Sequence, residues 1–117
     1  MPFQTKYLYS AALDVELEKD ALFNEVYNTE HMPQLLEVPG VVSVTRFKKQ
    51  ELTLIIDGER KPIVFEDEPS YVGLFEIESP EVLVCDAWVK AAERGRWPKQ
   101  VRPYCKNRRL VLYKKLA

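Results

Sequence analysis

FNEVYNTEHMPQLLEVPG, residues 23–40, holds the only histidine of the chain and leads into its longest β-rich region. Read as a helix, it stacks Phe23, Tyr27 and His31 at i, i+4 and i+8, with Leu22 and Val26 on the adjoining stripe. Pro33 disfavours the αR region for Met32, which predicts that the helix ends or kinks at about His31 and that a short second turn starts with Pro33 and carries Leu35 and Leu36. Val38-Pro39-Gly40 then makes a turn, after which Val41 to Phe47 reads as a strand. A titratable ring therefore sits at an α-to-β corner.

Upstream, Lys6 to Leu13 places Tyr7, Tyr9, Ala11 and Leu13 on one face and Leu8, Ser10 and Ala12 on the other, so it reads as a first strand with neither face strongly polar. Asp14, Glu16 and Glu18 follow, suiting the N-terminal end of a helix dipole, and the first helix is expected from about Glu18 to Glu30. Downstream, Asp57-Gly58 is a hairpin turn between two apolar runs. Two arrangements are open: one long hairpin folding back there, which brings Val44 near Tyr71 and Lys48-Lys49 opposite Glu66-Asp67-Glu68, or a small separate hairpin, residues 51–68, between two core strands. Both give core strands Val41 to Phe47 and Tyr71 to Ile77. Ser79-Pro80-Glu81 predicts the start of a second helix, with Val84, Trp88 and Ala91 or Ala92 on its buried face and Gly95 as its stop. A basic, aromatic loop holding Trp97 leads to a last strand, Tyr104 to Lys115.

The order β-α-β-β-α-β predicts an α+β, ferredoxin-like protomer over residues 1–117, a single domain whose four-stranded antiparallel sheet carries both helices on one face. The other face is too apolar to be wet, and no segment is left to cover it. A second copy is the expected cover, giving a homodimer through the open sheet face. A chain of 117 residues with net charge −1 lacks the positive stripe of a nucleic-acid binder. No run is long enough to span a membrane and no cleavable basic leader is recognised, so a cytoplasmic protein is expected. Cys85 and Cys105 read as free thiols, a single histidine excludes a His-rich metal site, and the dispersed glycines exclude dinucleotide and phosphate loops.

The run Tyr27-Asn28-Thr29-Glu30-His31-Met32-Pro33, with Leu35-Leu36, Val38-Pro39-Gly40 and Arg46-Phe47, resembles the dimeric α/β-barrel superfamily and, within it, the EthD-like group. Tyr71 to Ser79, Trp88 and Trp97 extend the likeness over nearly the whole chain, although residues 51–68 look longer than in many relatives. The resemblance implies a pocket between sheet and helices in each protomer, with His31 at the group's recurring histidine. Its members include cofactor-free monooxygenases, isomerases, polyketide cyclases, haem-degrading enzymes and proteins without demonstrated activity. Haem-degrading relatives carry their histidine in the second helix, so no cofactor is expected here.

Imidazole titrates near neutrality, which makes His31 the candidate acid or base; the plainer alternative is a cap on the helix C-terminus. Tyr27, Tyr71, Trp88 and Trp97 are candidate walls for a small apolar or aromatic ligand, each also readable as core. Arg46 shares strand parity with Val42 and Val44 and so needs a partner, either an anionic ligand group or, preferentially, a structural ion pair. Arg102, Arg108 and Arg109 read as solvated or dimer-rim charges, one of which a carboxylate-bearing ligand could use. The expected function is small-molecule binding, with cofactor-independent enzyme chemistry (proton transfer, cyclase, isomerase or monooxygenase type) on an aromatic or polyketide-like compound; the alternative is a non-catalytic accessory protein of a degradative pathway.

Overall fold

The computed structural model of the protein describes residues 3–117. Six strands form, β1 (Tyr7–Val15), β2 (Val41–Lys48), β3 (Leu52–Ile56), β4 (Glu59–Ile63), β5 (Tyr71–Ile77) and β6 (Cys105–Lys114). Four make one antiparallel sheet in the order β2-β5-β1-β6, with the helical segments on one face, which is the expected ferredoxin-like α+β topology. Strands β3 and β4 pair only with each other, so the hairpin is a separate one rather than the tip of a long fold-back. Its apolar side chains, among them Leu54, Ile55 and Ile56, stay exposed. The radius of gyration is accordingly 16.0 Å, above the roughly 13 Å of a compact domain of this length.

The corner at Pro33 differs from expectation. Helix α1 (Asp20–Val26) does not stop at His31 but runs through a π-helical turn, Tyr27–His31, into α2 (Met32–Leu36). Met32 keeps αR angles (φ −64°, ψ −48°), and its N–H reaches back to the Tyr27 carbonyl. Widening the preceding turn is how the chain continues past a proline that removes a donor and crowds the carbonyl four residues earlier.

The second helix is also divided. A 3₁₀ segment, Pro80–Val84, is followed by extended Cys85, whose Sγ accepts from the Trp88 N–H at 3.4 Å and so caps α3 (Asp86–Ala92) in place of Ser79. Val84 falls outside the helix and is exposed, while Ala91 is buried. The segment after Gly95 is not loop: Trp97–Val101 forms a second π-helical turn with Trp97 and Val101 buried. Ion pairs from Arg96 to Glu25 and Glu30 pin this segment onto the first helix.

The core has two parts. Phe23, Val26, Tyr27, Leu13, Trp97 and Val101 pack at one end of the sheet, and Leu35, Val38, Phe75, Ile77, Val82 and Ala91 at the other. On the opposite face Leu8, Ala12, Val72, Leu74, Phe47 and Val111 share strand parity and have no helix over them.

Candidate functional site

The two π-helical turns meet over the sheet. His31, from the first, stacks on Trp97, from the second, with ring centroids 4.0 Å apart and planes 10° from parallel. Tyr27 stands edge-on to both, at 5.1 Å from His31 and 5.3 Å from Trp97. A wider turn holds Tyr27 and His31 on one side, consistent with the frequency of π-turns at functional sites.

Beneath this cluster lies a cavity of about 170 Å³. Its helix side is built by Tyr27, His31, Trp88 and Trp97, its floor by Tyr9 and Phe75, and Arg102, Cys105 and Arg108 also line it. Tyr9, Phe75 and Trp88 form a second aromatic group, with Trp88 edge-on to both. Among the described residues His31 is only 7% exposed, and its Nδ1 is buried without a hydrogen-bond partner. Such an atom costs about 1–3 kcal/mol, a penalty that a native fold carries only for a physical reason. Nδ1 therefore caps no helix carbonyl.

Burial, then the Arg102 charge, lowers the His31 pKa to about 4, with Glu93 opposing. The imidazole is neutral at pH 7 and offers one donor and one acceptor nitrogen. Tyr27 is pushed above the ordinary tyrosine range by burial, so it remains a phenol. Arg102 is spent on Glu93, to which it donates in a forked pair, one arm at 2.9 Å.

Arg46 and Tyr71 do not line this cavity. They lie beyond Phe23 in a shallower cleft with Asp20 and Asn24. The expected ion pair is absent among the described residues: Arg46 donates to Asn28 Oδ1 at 2.8 Å and Asn24 Oδ1 at 3.0 Å, and its guanidinium lies 4.3 Å from the Tyr27 ring centroid. Arg46 faces the helices with Val44, as its parity predicts, but a bulge between Val41 and Ser43 turns Val42 outward and Val41 inward. Tyr71 donates to Asp20 at 2.6 Å and accepts from Asn24. Opposite Arg46 in the sheet, Gly73 admits the Tyr27 hydroxyl, which a Cβ there would meet at 2.6 Å.

Tyr9 and Cys105 were not singled out from sequence as wall residues. Tyr9 has the inward parity of the first strand, a usable signal. Cys105 depends on a bulge in β6 that only the pairing with β1 reveals. Among the described residues, no group of three or more His, Cys, Asp or Glu side chains is placed to hold a metal ion. No described helix is long and apolar enough to cross a membrane.

The chain thus has a ferredoxin-like α+β fold with an aromatic pocket between sheet and helices. An EthD-family protein from Bacillus halodurans has the same fold, with TM-score 0.58 at 13% identity over 94% of this chain and 99% of its own. A candidate antibiotic biosynthesis monooxygenase from Nitrosomonas europaea superposes with TM-score 0.55 at 14% identity, covering 95% of this chain and 99% of its own. MhuD, a heme-degrading protein from Mycobacterium tuberculosis solved with two hemes in its active site, gives TM-score 0.53 at 15% identity over 95% and 96%. No protein-family model and no curated protein sequence matches the chain.

Proposed function

We propose that the protein binds a flat, single-ring aromatic compound in the His31 cavity and acts on it as a cofactor-independent enzyme, with His31 taking a proton from the ligand. The observation that carries this is the His31 ring, only 7% exposed, set among the aromatic walls of an open cavity. A cavity of about 170 Å³ is close to the roughly 150 Å³ that accepts benzene. Its walls are mostly apolar and aromatic, which suits a flat ring. Neutral imidazole is the form a general base requires.

MhuD binds heme, but the cavity here does not fit one. A tetrapyrrole far exceeds a benzene-sized space, and His31 is sandwiched against Trp97 and Tyr27 rather than free to reach an iron. No step through heme is derived.

A non-catalytic binder, such as an accessory protein of a degradative pathway, is favoured by one observation: a pKa near 4 lies well below the working range of an efficient base. In that case His31 serves only as a hydrogen-bonding contact. The two are separated by exposing the protein to phenols and aromatic acids. Binding with product formation that His31→Ala reduces by about 10²–10⁴-fold supports the enzyme; binding without product supports the accessory role; failure of every one-ring probe to bind removes both.

We also propose that the whole chain acts as one such domain in the cytoplasm and pairs into a homodimer through the open sheet face. Leu8, Phe47, Leu74 and Val111, interspersed with Ser10, Ser43, Thr45 and Glu76 on a face that no described helix covers, support it. Light scattering should give about twice the chain mass, and a stable monomer at micromolar concentration would contradict the pairing.

A further inference from the structure

The strand that closes the cavity carries a bulge. Between the pairs Ala12↔Arg109 and Asp14↔Lys106, β1 has one residue, Leu13, where β6 has two, Asn107 and Arg108. Asn107 takes a left-handed conformation, φ 51°, as the first residue of such a bulge does. Its side chain is held from two sides, donating to Asp14 Oδ2 at 3.0 Å and to the Asp67 carbonyl at 2.7 Å.

Cys105 and Arg108 are three residues apart and would point to opposite faces of an unbroken strand. The bulge puts both on the cavity side. It thereby aims a second cation at a largely apolar and aromatic pocket. Arg109, one residue on, pairs with Ala12 on the opposite face and lies against Glu68 and the Asp67 carbonyl.

The two cationic residues of the cavity differ. Arg102 is neutralised by Glu93, whereas Arg108 has no carboxylate within ion-pair distance among the described residues. Its charge is felt inside: burial raises the Tyr9 hydroxyl and the Cys105 thiol, and Arg108 opposes both shifts.

We infer that Arg108 is an anion-reading residue at the mouth of the His31 cavity and that the ligand is a one-ring aromatic carrying a carboxylate, with its ring among Tyr9, Trp88 and Trp97 and its charge on the guanidinium. This rests on the aromatic-binding role proposed above and narrows it. A planar fork of donors suits a carboxylate, and Arg108 is exposed enough to meet one without prior desolvation.

Benzoate and benzamide have nearly the same shape and differ in charge. Both tryptophans of the chain line the cavity, so their fluorescence reports occupancy, with calorimetry as a second readout. The protein should bind benzoate at least about tenfold more tightly than benzamide, a margin within the range of a charge-assisted hydrogen bond. Arg108→Gln should bring the two within about twofold, Arg108→Lys should restore part of the preference, and Arg109→Gln should leave it intact. An unchanged preference in Arg108→Gln overturns the inference. Equal binding of both probes by the parent protein overturns it too, while leaving the aromatic site standing. Binding of neither probe at millimolar concentration removes the aromatic site and the inference with it.

Discussion

Two polar groups flank Phe23, and they are treated in opposite ways. Arg46 has Asn24, Asn28 and the face of Tyr27, and its neighbour Tyr71 has Asp20. His31, on the other side, is packed by Tyr27 and Trp97 but left with a bare nitrogen and a cavity next to it. A satisfied network stiffens a fold. A cluster whose rings line open space is where the molecule has something left to bind, and that difference, more than residue type, separates the two clusters.

The most severe challenge to the comparison is to remove the wall. Phe23 is 1% exposed and touches Tyr27, Tyr71 and Trp97, so Phe23→Ala should cost about 3–5 kcal/mol of stability. Chemical denaturation will measure it; a loss below about 1 kcal/mol would mean that the two clusters are not separated by a packed core.

Acid comes next. The folded pKa of His31, about 4, lies below the unfolded value of 6.5, so the unfolded chain takes up a proton first as pH falls. Stability from this residue is intact above about pH 6.5, is lost between 6.5 and 4, and levels off below 4. At about 1.4 kcal/mol per unit the whole loss is on the order of 3 kcal/mol. Subtracting the same titration of His31→Phe isolates it from the carboxylates. Parallel curves for the two proteins would place the imidazole in water rather than in the core.

Arg46→Met should cost about 1–3 kcal/mol through the lost bonds to Asn24 and Asn28 and the lost cation–π contact, yet leave probe binding in the His31 cavity within about twofold. A large loss of binding with little loss of stability would move the ligand site across the Phe23 wall. At neutral pH His31→Phe should change stability by less than about 1 kcal/mol, because it keeps the stack on Trp97 and discards an unpaired polar atom. A drop of several kcal/mol there would return His31 to a structural role.

The order of the core elements along the chain, the inward face of β1 and the aromatic ladder Phe23-Tyr27-His31 were legible in the sequence because each rests on a pattern of period two or of nearly four, which local sterics enforce. The turns that place the site were not. Pro33 reads as a helix end or a kink, since a widened turn that carries the helix past it has no side-chain signature; Cys85 as a cap is masked by the stronger Ser79-Pro80 signal. The parity of Val42 failed at a bulge for the same reason that Arg108 reads as a rim charge, because one inserted residue flips everything beyond it and only the partner strand shows where it lies. Asn107, a residue that tolerates a left-handed backbone, is the one local hint. Legibility therefore stops where pairing across the sheet decides which face a side chain takes.

The central claim is that a ligand occupies the cavity against a neutral, buried His31. With one histidine in the chain, its ring carbon and nitrogen resonances can be assigned without ambiguity and followed by NMR against pH, with and without benzoate. The account predicts a free pKa near 4 and ring shifts that change on adding benzoate, with the apparent pKa moving upward as an anion enters beside it. A ring that titrates between 6 and 7 and is indifferent to the probe would contradict it.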